Sequence, residues 1–128
     1  GTSSYKDALN NESEKNFMTK QEMLKNIMTD AVEGCYTESW ADIKNVKRDN
    51  GDNVISFDVK DFEDAEGSWY TINEKNLAEA IEKIRNGEVK IGKEFADQFS
   101  GEPEDWYYDA IGADCAVQIA AFNEIIFG

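Results

Sequence analysis

Carboxylates are the side chains in this sequence whose types and spacing suggest chemistry. One cluster lies in the middle of the chain and consists of Asp58, Asp61, Glu63, Asp64 and Glu66. Carboxylate oxygens are the ligands that Mg²⁺ and Ca²⁺ prefer, but these acids lack the regular spacing of a known cation loop. Three interpretations therefore stay open: a solvated loop, a surface that binds a basic partner, and a metal site.

The segment 49–53, with the sequence DNGDN, resembles the start of a calcium-binding loop. An EF-hand needs glycine at its sixth position and a bidentate glutamate at its twelfth. Here glycine stands third and Lys60 stands twelfth. An Asn-Gly pair is instead typical of a tight β-hairpin, because both residues accept positive φ. We interpret 49–53 as a hairpin turn.

A further acid, Asp114, lies four residues before Gln118 in an otherwise apolar stretch. On a helix this spacing places the two side chains one above the other. A buried carboxylate is costly unless it is hydrogen-bonded or paired. We expect Asp114 to cap a loop or to pair with a basic residue such as Lys44 or Arg85, with a polar pocket as the alternative. The motif contains no histidine, lysine or second acid, so no catalytic residue is assigned.

The overall composition and charge argue against several classes of function. The chain has 27 acidic side chains, 13 basic ones, no histidine and a formal net charge of −14. Affinity for nucleic acid comes mainly from lysine and arginine, so direct binding of nucleic acid is not expected. The lack of histidine removes the commonest general base and the usual zinc ligand. We expect no metal, no cofactor and, since no apolar run approaches ~18 residues, no membrane span.

Apolar periodicity predicts the first half of the fold. Residues 1–16 are polar and aperiodic, which predicts a flexible tail, and 17–128 are expected to form a single domain. A capping box at Thr19 and Glu22 predicts a helix over 20–33 that ends at Gly34. Strands are predicted at 36–48, 54–59 and 68–72, with a bulge between Trp40 and Ile43.

Helices dominate the second half of the chain. A second capping box at Thr71 and Glu74 precedes an amphipathic helix that ends at 86–87. Phe95 and Phe99 are spaced for a short helix, and 109–127 are apolar in nearly every helical direction, which is typical of a buried helix. The predicted fold class is α+β: a three-stranded antiparallel meander packed with three to four helices, the C-terminal helix central and buried.

Aromatic residues provide a second candidate binding surface. Trp106, Tyr107 and Tyr108 follow one another in an acidic loop just before the last helix. Tryptophan and tyrosine often anchor protein interfaces, although at least one of these rings is expected to pack on the core. Trp40 and Trp69 are expected to pack in or beside the sheet. The cysteines, at 35 and 115, match no metal or redox spacing and are interpreted as free thiols.

The C-terminal residues carry a family resemblance. The segment 109–114 reads DAIGAD, Gln118 follows, and 122–128 read FNEIIFG. This pattern resembles the C-terminal signature of small proteins of unknown function encoded by tailed phages and prophages, DAI[TG]AD, then Q, then FGE[IV][IV][YF]G. Weaker similarity extends upstream to about residue 34, and Asn123 stands where that family usually has glycine. The resemblance implies a phage or prophage origin and life in the bacterial cytoplasm, and it implies no active site.

Charge and resemblance together lead to an expected function. We expect a non-enzymatic phage or prophage accessory protein that binds a basic or nucleic-acid-binding protein partner through its acidic surface. In its sharper form, the acidic surface mimics the charge of nucleic acid. The alternative is a carboxylate-based metal-dependent enzyme, whose ion would be held by a group that includes Asp109 or Asp114.

Overall fold

The computed structural model describes residues 19–127, so the predicted tail at 1–16 lies outside the described residues. The helices are α1 (Lys20–Glu33), α2 (Cys35–Glu38), α3 (Glu74–Arg85), α4 (Lys93–Ala96) and α5 (Ala110–Phe122), and the strands are β1 (Ala41–Arg48), β2 (Val54–Asp61) and β3 (Tyr70–Asn73). The strands form one antiparallel sheet in the order β1-β2-β3. The predicted α+β class and the meander are confirmed. Among residues 19–127 the α-helices number five, more than the predicted three to four, because α2 and α4 are single turns.

Helix α1 begins and ends for local reasons. The Thr19 hydroxyl oxygen accepts a 3.1 Å hydrogen bond from the backbone N–H of Glu22, as an N-cap should. At the other end Gly34 has an extended backbone with φ of −84°, not the left-handed conformation common after helices. Glycine is needed there for space, because a Cβ atom would lie 2.6 Å from the carbonyl oxygen of Asp30.

The first strand is shorter than predicted. Residues 35–38 form the helical turn α2, and β1 begins only at Ala41. Thr37 in that turn is buried, and its hydroxyl donates to Asp114 on α5. A contact with a distant helix thus overrides the local preference for strand. The predicted bulge between Trp40 and Ile43 is also wrong, since the register shifts lie between Lys44 and Arg48.

The β1–β2 hairpin closes as predicted but with a different backbone. The carboxylate of Asp49 accepts hydrogen bonds from the N–H groups of Gly51 and Asn53, at 2.9 and 3.0 Å. Positive φ occurs at Asp52, 65°, and not at Asn50 or Gly51. The turn is therefore built around the side chain of Asp49, whose carboxylate accepts the hydrogen bonds of two backbone N–H groups in the turn.

The cap of α3 also differs from the prediction. Asn73 is the N-cap: its side chain accepts from the N–H of Asn76, whose side chain accepts from the N–H of Asn73, at 3.0 and 2.9 Å. The predicted cap, Thr71, lies inside β3 and donates its hydroxyl to Asp58 across the sheet. Strand pairing extends to Asn73, so the helix starts two residues later than the capping box at Thr71 implied.

Helix α5 is the central element of the core. Eight consecutive residues, from Gly112 to Ile119, are buried. The helix contacts α1, α3 and β3, so it lies between the other helices and the sheet, as predicted. It ends at Phe122 rather than 127, because Asn123 adopts a left-handed conformation with φ of 62° and turns the chain back. None of the helices in the described part of the chain is long and apolar enough to cross a membrane.

Candidate functional site

The acidic loop, residues 61–67, joins β2 to β3. Its backbone forms two successive turns, in which Asp64 N–H donates to the Asp61 carbonyl and Gly67 N–H donates to the Asp64 carbonyl, at 3.1 and 2.9 Å. The Asp61 carboxylate accepts a 3.0 Å hydrogen bond from the N–H of Glu63. Phe62 N–H donates to the Trp40 carbonyl, which joins the loop to the start of β1. The loop is therefore an ordered turn pair in which Asp61 has a structural role.

The side chains of the acidic loop face solvent. Glu63, Asp64 and Glu66 are exposed, and none of them takes part in an ion pair within residues 19–127. Phe62 lies among them with 44% of its surface exposed. Aromatic rings are among the side chains that anchor protein interfaces, and unpaired acids are among those that complement a basic surface.

The structure places Asp58 apart from the acidic loop. Asp58 lies on the outer face of the sheet, where its carboxylate accepts hydrogen bonds from the Asn45 side chain and the Thr71 hydroxyl, both at 2.8 Å. These bonds, followed by the nearby charges of Lys44 and Lys47, lower the pKa of Asp58 from its usual value. The predicted cluster at 58–66 is thus divided into a sheet carboxylate and a loop of acids.

Trp69 also lies on the outer face of the sheet. The ammonium groups of Lys44 and Lys60 lie 3.9 and 5.4 Å from the centre of its ring. Such contacts between a cation and an aromatic face are favourable. The two lysines and Trp69 give the outer face a mixed charge next to the acidic loop.

The three aromatic residues at 106–108 have three different environments. Trp106 is buried, packs edge-on against Phe99 and donates its indole N–H to the carbonyl of Gly101. Tyr107 is 73% exposed. Tyr108 is half-buried and its hydroxyl donates to Asp30, and burial followed by this bond raises the pKa of the phenol. Only Tyr107 of the predicted interface run presents its ring to solvent.

Asp114 and Gln118 form the centre of a buried polar network. One carboxylate oxygen of Asp114 accepts from the Thr37 hydroxyl at 2.7 Å and from the Trp40 indole N–H at 2.9 Å. The other accepts from the Gln118 amide at 2.8 Å. The expectation of a basic partner is wrong, because Lys44 lies over Trp69. Arg85 donates to two backbone carbonyls instead.

Gln118 holds the C-terminal segment against α5. Its carbonyl oxygen accepts from the N–H groups of Ile126 and Phe127, both at 2.9 Å, and its amide also donates to the Phe127 carbonyl at 3.0 Å. The ring of Phe127 stacks on Trp40 with centroids 4.9 Å apart. The glutamine therefore replaces a backbone partner for a segment that belongs to neither a helix nor a strand.

The described residues contain a cavity that the sequence did not reveal. This aromatic cavity has a volume of about 730 Å³ and lies between α2, α5, the segment before α4 and the C-terminal segment. Its lining comprises Tyr36, Ser39, Trp40, Val89, Lys90, Ile91, Gly92, Phe95, Ile111, Asp114, Cys115, Ile125 and Phe127. One signal in the sequence could have indicated the cavity. Val89 and Ile91 are apolar although no helix or strand is predicted for their segment, and apolar residues in such a segment indicate that it packs against the rest of the protein.

Two titratable residues near this cavity, Asp109 and Cys115, have surroundings that give them structural roles. Asp109 is the N-cap of α5 and accepts a 2.7 Å hydrogen bond from the N–H of Gly112. Burial, followed by the charges of Asp114 and Asp109, raises the pKa of the Cys115 thiol to about 11, which leaves it protonated and unreactive at neutral pH. Within residues 19–127 no three His, Cys, Asp or Glu side chains are grouped so that they could hold a metal ion.

Comparison with known proteins gives no relative: no protein-family model, curated protein or solved structure matches this chain.

Proposed function

We propose that this chain is a phage or prophage-type accessory protein that works without catalysis, by binding a basic protein partner through its acidic loop. The observation that carries the proposal is the exposed ring of Phe62 among three acids, Glu63, Asp64 and Glu66, that have no ion-pair partner in the described structure. A basic partner would neutralise the acids and cover the ring.

The charge distribution supports a role for this loop in association. Unpaired carboxylates on a protein of net charge −14 attract a basic surface over a long distance and raise the rate of encounter. Long-range attraction by itself gives little affinity, which comes from buried aromatic anchors. Phe62 is such an anchor, and Trp69 and Tyr70 lie close by in the chain, 38% and 39% exposed.

The structural roles of the other acids support the absence of catalysis. The metal-dependent alternative needed Asp109 or Asp114 as a ligand, yet Asp109 caps α5 and Asp114 receives three hydrogen bonds. A divalent cation in a protein is held by several oxygen ligands together. Within residues 19–127 no three His, Cys, Asp or Glu side chains are grouped so that they could hold such an ion.

The proposal is tested by affinity capture from a bacterial lysate with a triple variant, E63S/D64S/E66S. Asp61 is left unchanged because it holds the loop backbone. The matched control is E79S/E88S/E94S, which removes the same charge from exposed positions elsewhere. The wild type and the control should retain the same basic protein, and the loop variant should lose it. Raising the salt from about 50 to about 300 mM should weaken the capture, because exposed charges are screened.

A second variant separates charge from contact. Phe62→Ser leaves all loop acids in place and should shorten the lifetime of the complex rather than slow its formation. Equal capture by the loop variant and the wild type, or capture that does not respond to salt, would contradict the proposal. The sharper form, in which the loop mimics nucleic acid, predicts that excess duplex DNA displaces the protein from its partner.

A further inference from the structure

We propose that the aromatic cavity is a binding site for a small organic cation, an ammonium group carried on an aromatic or alkyl body. This site is separate from the acidic loop, and its ligand is independent of the protein partner proposed above. The cavity volume of about 730 Å³ falls in the range of ~300–1,000 Å³ that is usual for small-molecule sites.

The walls of the cavity fit an apolar ligand with a cationic group. Four aromatic side chains line it: Tyr36, Trp40, Phe95 and Phe127. Trp40 is held in place by its hydrogen bond to Asp114 and by the stacked ring of Phe127, so its ring is preorganised. The faces of such rings attract ammonium groups. Trp40 is 3% exposed and has one face covered by Phe127, so the more exposed rings of Tyr36 and Phe95 are the ones that a ligand would contact directly. Aliphatic residues complete the wall and would contact the body of the ligand.

Two charged side chains line the cavity: the negative charge comes from Asp114, and the exposed Lys90 adds a positive one. Asp114 is 7% exposed, and receives hydrogen bonds from three neutral groups and from no lysine or arginine within residues 19–127. A carboxylate offers about four acceptor positions, so one of the two oxygens keeps a position for a ligand donor. A cation supplied by a ligand would complement a buried negative charge that the described side chains leave without a positive partner.

Another depression of the surface lacks this combination. It has a volume of about 850 Å³ and is lined by Lys25, Asp49 and Glu74 among others. Lys25 and Asp49 pair with each other at 2.9 Å, and the lining holds three lysines against two acids and no aromatic side chain.

The positive charge of Lys90 provides a test of the proposal, because reversing it should change the affinity of the cavity for a cation. Lys90 is exposed and lines the aromatic cavity, whereas Lys93, which is also exposed, does not line it. Lys90→Glu should therefore tighten the binding of a cation several-fold, and Lys93→Glu, the matched control, should change it much less. Both variants change the net charge of the protein equally, so non-specific attraction is the same in the two.

The experiment is a titration of the ¹⁵N-labelled protein, followed by NMR, with phenethylammonium and with two probes of similar shape, neutral 2-phenylethanol and anionic phenylacetate. We expect phenethylammonium to shift the indole signal of Trp40 and to bind about 10-fold more tightly than the neutral probe. Tyr36→Ala should weaken the binding of the cation about 3- to 10-fold. Tyr36 is 47% exposed, so this variant keeps the fold and leaves Asp114 in place.

Three results would overturn the proposal. One is equal or tighter binding of the neutral or anionic probe, which would mean that Asp114 does not select the charge. Another is an equal effect of the Lys90 and Lys93 changes, which would mean that the cation binds the acidic surface in general. The last is the lack of any shift at Trp40 when the probe reaches about 10 mM, a concentration at which even millimolar affinity is detected.

Discussion

The side-chain amide of Gln118 donates a 2.8 Å hydrogen bond to the carboxylate of Asp114, one turn earlier on α5. The pair joins the two parts of the molecule that flank the helix. Asp114 accepts hydrogen bonds from Thr37 in α2 and from Trp40, and Gln118 accepts hydrogen bonds from the backbone of the C-terminal segment. Removing Asp114 would leave the buried Thr37 hydroxyl and the Trp40 indole N–H without their partner, and removing Gln118 would take a donor from the buried carboxylate.

Gln118→Ala should lower the free energy of unfolding by about 3 kcal/mol, since it leaves buried polar groups unpaired and a cavity behind. It should also release residues 124–127, so carboxypeptidase should trim the variant faster than the wild type. Urea denaturation and timed digestion measure the two effects. Gln21→Ala, at an exposed position, is the control and should cost less than about 0.5 kcal/mol. Equal digestion of Gln118→Ala and the wild type would show that Gln118 does not retain the segment.

Thr37→Val should destabilise the protein by about 1–2 kcal/mol, because it removes one of the three donors to Asp114 without changing the shape of the side chain. The same change in an Asp114→Ala background should cost far less. A double-mutant cycle by urea denaturation should therefore give a coupling energy above about 1 kcal/mol. Additive effects would mean that the hydroxyl and the carboxylate do not interact in solution.

Trp106→Ala should cost about 3 kcal/mol of unfolding free energy, since this ring is only 6% exposed and packs on Phe99. Tyr107→Ala should change stability by less than about 0.5 kcal/mol, because that ring is 73% exposed. Thermal unfolding of the two variants beside the wild type is the measurement. Similar losses for the two neighbours would contradict the placement of these rings.

Asp58→Asn should make the protein less stable at neutral pH and no less stable in acid. Hydrogen bonds from Asn45 and Thr71 lower the pKa of Asp58 in the folded state below its usual value of 3.8. The ionised carboxylate therefore stabilises the fold above that value, and the stabilisation is lost as the pH falls through the lower, folded-state pKa.

Urea midpoints measured from neutral pH down to about pH 2 test this dependence. The difference between the wild type and Asp58→Asn should shrink to nothing at the acid end. Thr71→Val removes one donor and should give a smaller difference of the same sign. A difference that is constant with pH would show that the amide disturbs packing and not charge.

Gly34→Ala should cost about 1–3 kcal/mol, because the new methyl group would overlap the carbonyl oxygen of Asp30. Gly51→Ala in the hairpin should cost less than about 0.5 kcal/mol, since Gly51 has no positive φ and a Cβ there meets nothing closer than 3.4 Å. Thermal unfolding distinguishes the two. A larger loss of stability for Gly51→Ala would indicate that Gly51 has the positive φ that the Asn-Gly pair predicted.

Much of the fold could be predicted because its signals are local. The apolar stripe of α3 is buried as its spacing predicts, and the helix α1 begins at Thr19 as its cap predicts. The errors occur where a distant group competes with a local preference. Residues 35–38 leave the strand because Thr37 bonds Asp114, and the bulge of β1 lies at Asn45, whose side chain bonds Asp58.

The candidate sites divide in the same way. The sequence identified the acidic loop and the Asp114–Gln118 pair, because charge clusters and polar residues in an apolar helix are visible in one dimension. It placed Asp58 with the loop acids and treated the three aromatics at 106–108 as one run, because proximity along the chain says nothing about which face a side chain takes. It did not reveal the aromatic cavity, whose walls come from four separate parts of the chain.

Composition and apolar periodicity were enough to predict the α+β class, the buried character of the last helix and the excess of acidic side chains. The donors to Asp114, the end of α5 and the surroundings of Trp40 are visible only in the folded chain. The physical reason is that a buried polar group must find partners wherever the packed chain offers them, and those partners lie 74 and 77 residues away in Trp40 and Thr37.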